Sequence, residues 1–136
     1  MSKLHQIIEN AFKAVESREY GKLEAVWTPS TEFRMLTQSF RGLGEFRQMC
    51  EGWHQAMPDF RHEVTAWIES GDVYCCELLV TGTHTGTMHT PKGELPATGN
   101  KVRLLSIDYV TFRDGRIHTW HAYPDMLGLL GQLGAF

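Results

Sequence analysis

Residues 116–125, RIHTWHAYPD, bring two imidazoles, an indole, a phenol and a carboxylate into one short segment. With Ser106 and Asp108 just upstream, these are the side chains whose types could move a proton or shape a ligand pocket. On an extended strand successive side chains point to opposite faces. His118, Trp120 and Ala122 therefore fall on one side, and Ile117, Thr119, His121 and Tyr123 on the other. Upstream, Asp108 shares a face with Ser106 and with Val102, Leu104, Val110 and Phe112. An unpaired carboxylate in such an apolar row is costly to ionise and its pKa rises, which is one way a general acid or base is prepared. Pairing with Arg103 or Arg113, or a place at the rim, is the alternative, and spacing leaves both open. With His118 on the same side of the adjacent strand, Asp108 and His118 form a candidate acid/base dyad.

Other chemistries find less support. His118 and His121 point apart on a regular strand, and HxxH needs a helix to bring two imidazoles to one metal. His84 and His89 flank a loop, so no metal is expected. There is no GxSxG elbow, Cys50 has no local histidine signature, and GLGEF and GELPATGNK lack phosphate-loop spacing. Cys75 and Cys76 are adjacent on a strand-like run and point to opposite faces, so Cys50, Cys75 and Cys76 are expected as free thiols.

The elements that must hold these residues follow from period and punctuation. Ser2 can cap a first helix with Leu4, Ile8, Ala11 and Val15 on its apolar face and Ile7 and Phe12 on the flank. A second, shorter helix is predicted over Tyr20 to Trp27, stopping at Pro29. Thr31 to Phe40 alternates loosely, and Arg41-Gly42 turns the chain into a third helix carrying Leu43, Phe46, Cys50, Trp53 and Met57 on one side, ended by Pro58. From Phe60 the pattern becomes short runs rich in β-branched and aromatic residues. Four strands are predicted: Phe60 to Glu69, Val73 to Thr85, Lys101 to Arg113 and Arg116 to Tyr123, the last two joined by Asp114-Gly115. The tail MLGLLGQLGAF reads as a short irregular helix or a packed tail. Trp27, Trp53 and Trp67 are expected in the core, His121 and Tyr123 outward, His54 and His62 toward solvent, and Arg34 in a surface ion pair or on a substrate carboxylate.

The whole chain, 1–136, reads as one α+β domain: a curved antiparallel sheet folded around helices, with a concave mouth for a small ligand. A chain of 136 residues can bury a real core. The net charge of −3, from 13 basic and 16 acidic residues without runs of either sign, supplies no field for phosphate backbones. Nucleic acid and membrane are not expected partners. The N-terminal stretch lacks a leader pattern, and no apolar run approaches the roughly 20 residues of a spanning helix. A cytoplasmic location is expected.

The ordered series PDF, SGDVYCCELLVTGTHTG, PATGNKV, DYVTFRDGRI and W…PDMLGLLGQLG, from about Gly52 to Gly134, resembles the SnoaL-like polyketide cyclases of the nuclear transport factor 2-like superfamily. The resemblance implies a cone-shaped, cystatin-like α+β fold with a deep apolar cavity, often dimeric through the outer sheet face. It also implies ring closure by aldol chemistry with no cofactor, using an aspartate on the last strand and a histidine on the strand before it. Those two positions correspond here to Ala122 and Asp108. The tyrosine and carboxylate of the related ketosteroid isomerases correspond to Phe12 and Met35. Two functions stay open. One is a cofactor-free cyclase, isomerase, dehydratase or epoxide hydrolase acting on a small apolar carbonyl compound, with Asp108 and His118 catalytic and Ser106, Trp120, Ala122, Cys50, Trp53, Phe12 and Met35 lining the pocket. The other is a homodimeric scaffold or carrier of a small hydrophobic molecule without chemistry.

Overall fold

The first helix forms where the apolar residues recur at helical spacing. In the computed structural model, which describes residues 3–91 and 93–135, α1 spans Lys3–Glu16 and buries His5, Ile8, Ala11, Phe12, Ala14 and Val15. The expected cap, Ser2, lies outside the described residues. The helix ends where Arg18 adopts a positive φ of 59° and the Ser17 hydroxyl donates to the Lys13 carbonyl. The helix expected over Tyr20 to Trp27 is only a 3-10 turn, Tyr20–Ala25. Trp27 instead starts strand β1, Trp27–Met35. The physical reason is tertiary: the Thr31 hydroxyl donates to the Ile117 carbonyl and Trp27 is buried, so the segment is held extended against the far end of the chain. The loose alternation of Thr31 to Phe40 resolves into a hairpin of β1 with β2, Gln38–Arg41, turning at Leu36 with φ 57°.

Gly42, at φ +73°, leads into α2, Gly44–Ala56. Beyond it run β3, Arg61–Ser70, and β4, Val73–Thr83. The loop that follows contains a small hairpin of β5, Met88–Thr90, and β6, Gly93–Leu95. The long strands β7, Lys101–Arg113, and β8, Arg116–Pro124, and the short helix α3, Met126–Gln132, complete the chain. Asp125 caps α3 by accepting from the Gly128 amide at 2.8 Å. Gly86, in the GTHTG run, is required by packing, since a Cβ there would collide with the Gln55 carbonyl at the end of α2.

The six-stranded sheet has the order β2-β1-β8-β7-β4-β3. Pairing is antiparallel except between β1 and β8, which run parallel, so the sheet is mixed rather than wholly antiparallel. The inner face of β7 buries Val102, Leu104, Ser106, Asp108, Val110 and Phe112, while Arg103, Leu105, Ile107 and Tyr109 stay exposed. One irregularity matters for the site. Thr111 faces Thr119, but the next partners are Phe112 and Ile117, so His118 is an extra residue in β8. An inserted residue resets the alternation of its strand. Ile117 is accordingly buried on one side of the bulge, and Trp120, Ala122 and Pro124 on the other.

Candidate active site

The inner faces of β7 and β8 meet at a carboxylate. Asp108 faces Ala122 across the strand pair, and Trp120 lies one inward position away, opposite Val110. Asp108 is 4 % exposed. Its Oδ1 accepts from the Ser106 hydroxyl at 2.7 Å and its Oδ2 from the Trp120 indole Nε1 at 2.8 Å. Arg103 and Arg113 lie exposed, and among the described residues no cation forms an ion pair with Asp108. Burial pushes its pKa up; the two hydrogen bonds and the charge of His62 pull the other way without cancelling that rise. An indole only donates, so the carboxyl proton belongs on Oδ1, where the Ser106 hydroxyl can reverse and accept it.

Above this group is a cavity of about 80 Å³, walled mainly by rings and aliphatic side chains. Phe12, Met35, Cys50, Trp53, Ser106, Trp120 and Ala122 all line it, together with Asp108. Ala122 leaves the space opposite the carboxylate open. Met35, Met49 and Trp53 are the apolar lining residues that keep partial exposure, so they form the mouth. Burial, with the charge of Glu51 adding to it, raises the Cys50 thiol to about 12, which keeps it neutral and unreactive.

His118 does not line this cavity. The bulge takes it out of the row of Trp120 and Ala122, and the dyad expected with Asp108 is not assembled. His62 stands there instead, although solvent exposure was expected for it. It sits on the inner face of β3, and its side chain is 11 % exposed. The alternation of Phe60, His62 and Val64 was the available signal. Phe12 stacks on the imidazole with centroids 4.5 Å apart, and Phe60 meets it edge-on at 5.2 Å.

Glu16, at the end of α1, accepts from both the His62 amide at 2.8 Å and Nδ1 at 2.9 Å through the same Oε2. Burial opposes ionisation of Glu16, but the hydrogen bonds from His62 and the charges of His62 and Arg61 outweigh it and lower its pKa. An ionised carboxylate only accepts, so Nδ1 carries hydrogen and a neutral His62 keeps its lone pair on Nε2. Among the described residues Nε2 has no hydrogen-bond partner.

The remaining candidates lie elsewhere. His54 is buried rather than solvent-facing, its Nε2 bonded to the Val15 carbonyl at 2.8 Å, which ties α2 to α1. Trp67 is 47 % exposed rather than core, and stacks on His5 at 3.8 Å. His121 bonds Glu32 at 2.7 Å on the outer side of the sheet. Arg34 donates to the Tyr123 hydroxyl at 2.6 Å there, away from the cavity. Among the described residues no cluster of three His, Cys, Asp or Glu side chains is placed to hold a metal, and no helix is long and apolar enough to cross a membrane.

The fold matches TsrD from Streptomyces laurentii with a TM-score of 0.83 and 22% identity, over 98% of this chain and 96% of that one. It matches a proposed SnoaL-like polyketide cyclase from Jannaschia sp. CCS1 with a TM-score of 0.85 and 15% identity, over 98% and 93%. It matches AclR, a proposed hydroxylase from Streptomyces galilaeus, with a TM-score of 0.81 and 20% identity, over 97% and 81%. At these identities the likeness is one of fold. No curated protein matches the chain. The family model described as SnoaL-like polyketide cyclase matches residues 6–133, nearly the whole length, and the chain belongs to that family.

Proposed function

We propose that this protein is an enzyme that uses Asp108 as a general acid/base on a small, mostly apolar carbonyl compound, in the manner of a cyclase or isomerase. The observation that carries the reading is a carboxylate buried with no ion-pair partner among the described residues and held by two donors at an apolar cavity. Burial favours its protonated form, so it can give a proton to a carbonyl oxygen and take one back. The aromatic walls favour a flat, uncharged ligand. Size sets a limit: about 80 Å³ is roughly half the ~150 Å³ apolar cavity that admits benzene. The reacting end of the substrate enters past Met35, Met49 and Trp53, and any larger remainder stays at the mouth, where the flexible methionines can move aside.

The test is exchange of α-protons of acetone and cyclopentanone in D₂O, followed by proton NMR. Asp108→Asn should reduce the enzyme-dependent rate by about 10²- to 10⁴-fold while preserving the fold. Undiminished exchange in Asp108→Asn removes Asp108 from the chemistry, and a wild type that exchanges no faster than buffer favours a binding or scaffold protein. A second copy of the chain is the proposed partner, supported by the exposed Ile68, Leu105, Ile107 and Tyr109 on the outer sheet face. Sedimentation should give a dimer for the wild type and a monomer for Leu105→Glu; a wild-type monomer removes the partner.

A further inference from the structure

The cavity has a second ionisable side chain that the acid/base reading does not use. The geometry points to His62 as a further catalytic residue, the base that faces Asp108 across the substrate, with Glu16 as its positioning residue. This rests on the proposed carbonyl chemistry and assigns it a second group.

Three observations converge on His62. Its ring lines the same cavity as Asp108. Its orientation is fixed on three sides: Glu16 Oε2 holds the main-chain amide and Nδ1, Phe12 stacks on one face, and Phe60 abuts an edge. Its Nε2 is left without a protein partner among the described residues. An imidazole with one nitrogen held by a carboxylate and the other uncommitted is the arrangement by which a base is kept in one tautomer and aimed.

The step balances without any added reagent. His62 Nε2 takes a proton from the carbon beside the carbonyl, and the C–H pair becomes the C=C bond of the enol. The C=O π pair takes the carboxyl proton of Asp108 at oxygen. The products are a neutral enol, an imidazolium and a carboxylate, and the opposite charges that appear on the two walls stabilise each other. In D₂O the imidazolium exchanges its proton for deuterium, and reversal returns the ketone labelled at that carbon. Such a pair suits a neutral ketone or β-dicarbonyl compound, since the site moves charge between its own walls and, among the described residues, has no lysine or arginine in its lining for an anionic substrate.

The same exchange assay separates the two roles. His62→Gln should lower enzyme-dependent exchange at least tenfold, and the double variant with Asp108→Asn should be no worse than the poorer single one. In the wild type at pH 9, where imidazoles are generally neutral, nitrogen-15 NMR should show His62 as the Nδ1–H tautomer. Glu16→Gln should weaken that preference and slow exchange by less than His62→Gln does. Loss in Asp108→Asn with full exchange in His62→Gln overturns the inference and leaves the Asp108 reading intact. Loss in His62→Gln with full exchange in Asp108→Asn keeps the base and removes the acid. A wild type that exchanges no faster than buffer overturns both. Should His62→Gln not fold, the wild-type spectrum decides, because an Nε2–H tautomer overturns the inference.

Discussion

The two faces of the sheet each carry a carboxylate, Asp108 on β7 and Glu32 on β1, and treat it in opposite ways. On the inner face Asp108 has neutral donors, Ser106 and Trp120, and burial drives its pKa up. On the outer face Glu32 is tied to His121 at 2.7 Å with Arg41 3.8 Å away, and its pKa is lowered, led by the hydrogen bond from His121. Both are carboxylates on neighbouring parts of one sheet, and their difference is environment alone. A carboxylate with a cation in reach is settled as an anion. One that is buried with only neutral donors has its protonated form favoured, which is what giving a proton requires.

The sharpest way to break the contrast is to place a second acid inside. Ala122→Asp would set a carboxylate opposite Asp108, where facing Cβ atoms lie roughly 4.5–5.5 Å apart. Two buried like charges cannot both ionise cheaply, so the variant should lose about 3–5 kcal/mol of stability at pH 7, and recover much of it at pH 4 as the pair protonates. Urea unfolding at the two pH values measures this. An unchanged midpoint at pH 7 would mean that the space beside Asp108 is open to water.

Smaller effects lie in the slopes of stability with pH, which should have opposite signs on the two faces. Asp108 has a raised pKa in the fold, so its contribution is fully present below the usual aspartate range and is lost as pH rises through the folded value. Asp108→Asn should therefore gain on the wild type as pH rises. Glu32 has a lowered pKa, so its contribution is present above the usual glutamate range and is lost as pH falls through the folded value. Glu32→Gln should lose on the wild type at neutral pH, by about 1 kcal/mol or less because the pair is partly exposed, and match it in strong acid. Parallel slopes for the two variants would cancel the distinction between the faces.

Much of the inner face was legible from residue order. The long strands β7 and β8 stand where alternation predicted them, and Asp108, Trp120 and Ala122 share the cavity because a strand's side-chain period is two. The errors occur where that period is interrupted or where distant segments meet. His118 was misplaced because a single extra residue reset β8. The inward side of His62 was open to alternation with Phe60 and Val64 and was not read, whereas its partner, Glu16, lies 46 residues earlier in a helix and nothing local announces that contact. The 3-10 turn and the early start of β1 likewise answer to the pairing of β1 with β8, the other end of the chain.

What the amino-acid order determined by itself was the first and third helices, the four long strands and the side of the strand on which an apolar row places its one acid, since these follow from local periodicity and short-range sterics. The tertiary structure alone decided which imidazole lines the cavity with that acid. It did so through a bulge that turned one imidazole away and a helix end that held another in place, and each depends on contacts between segments far apart in the chain.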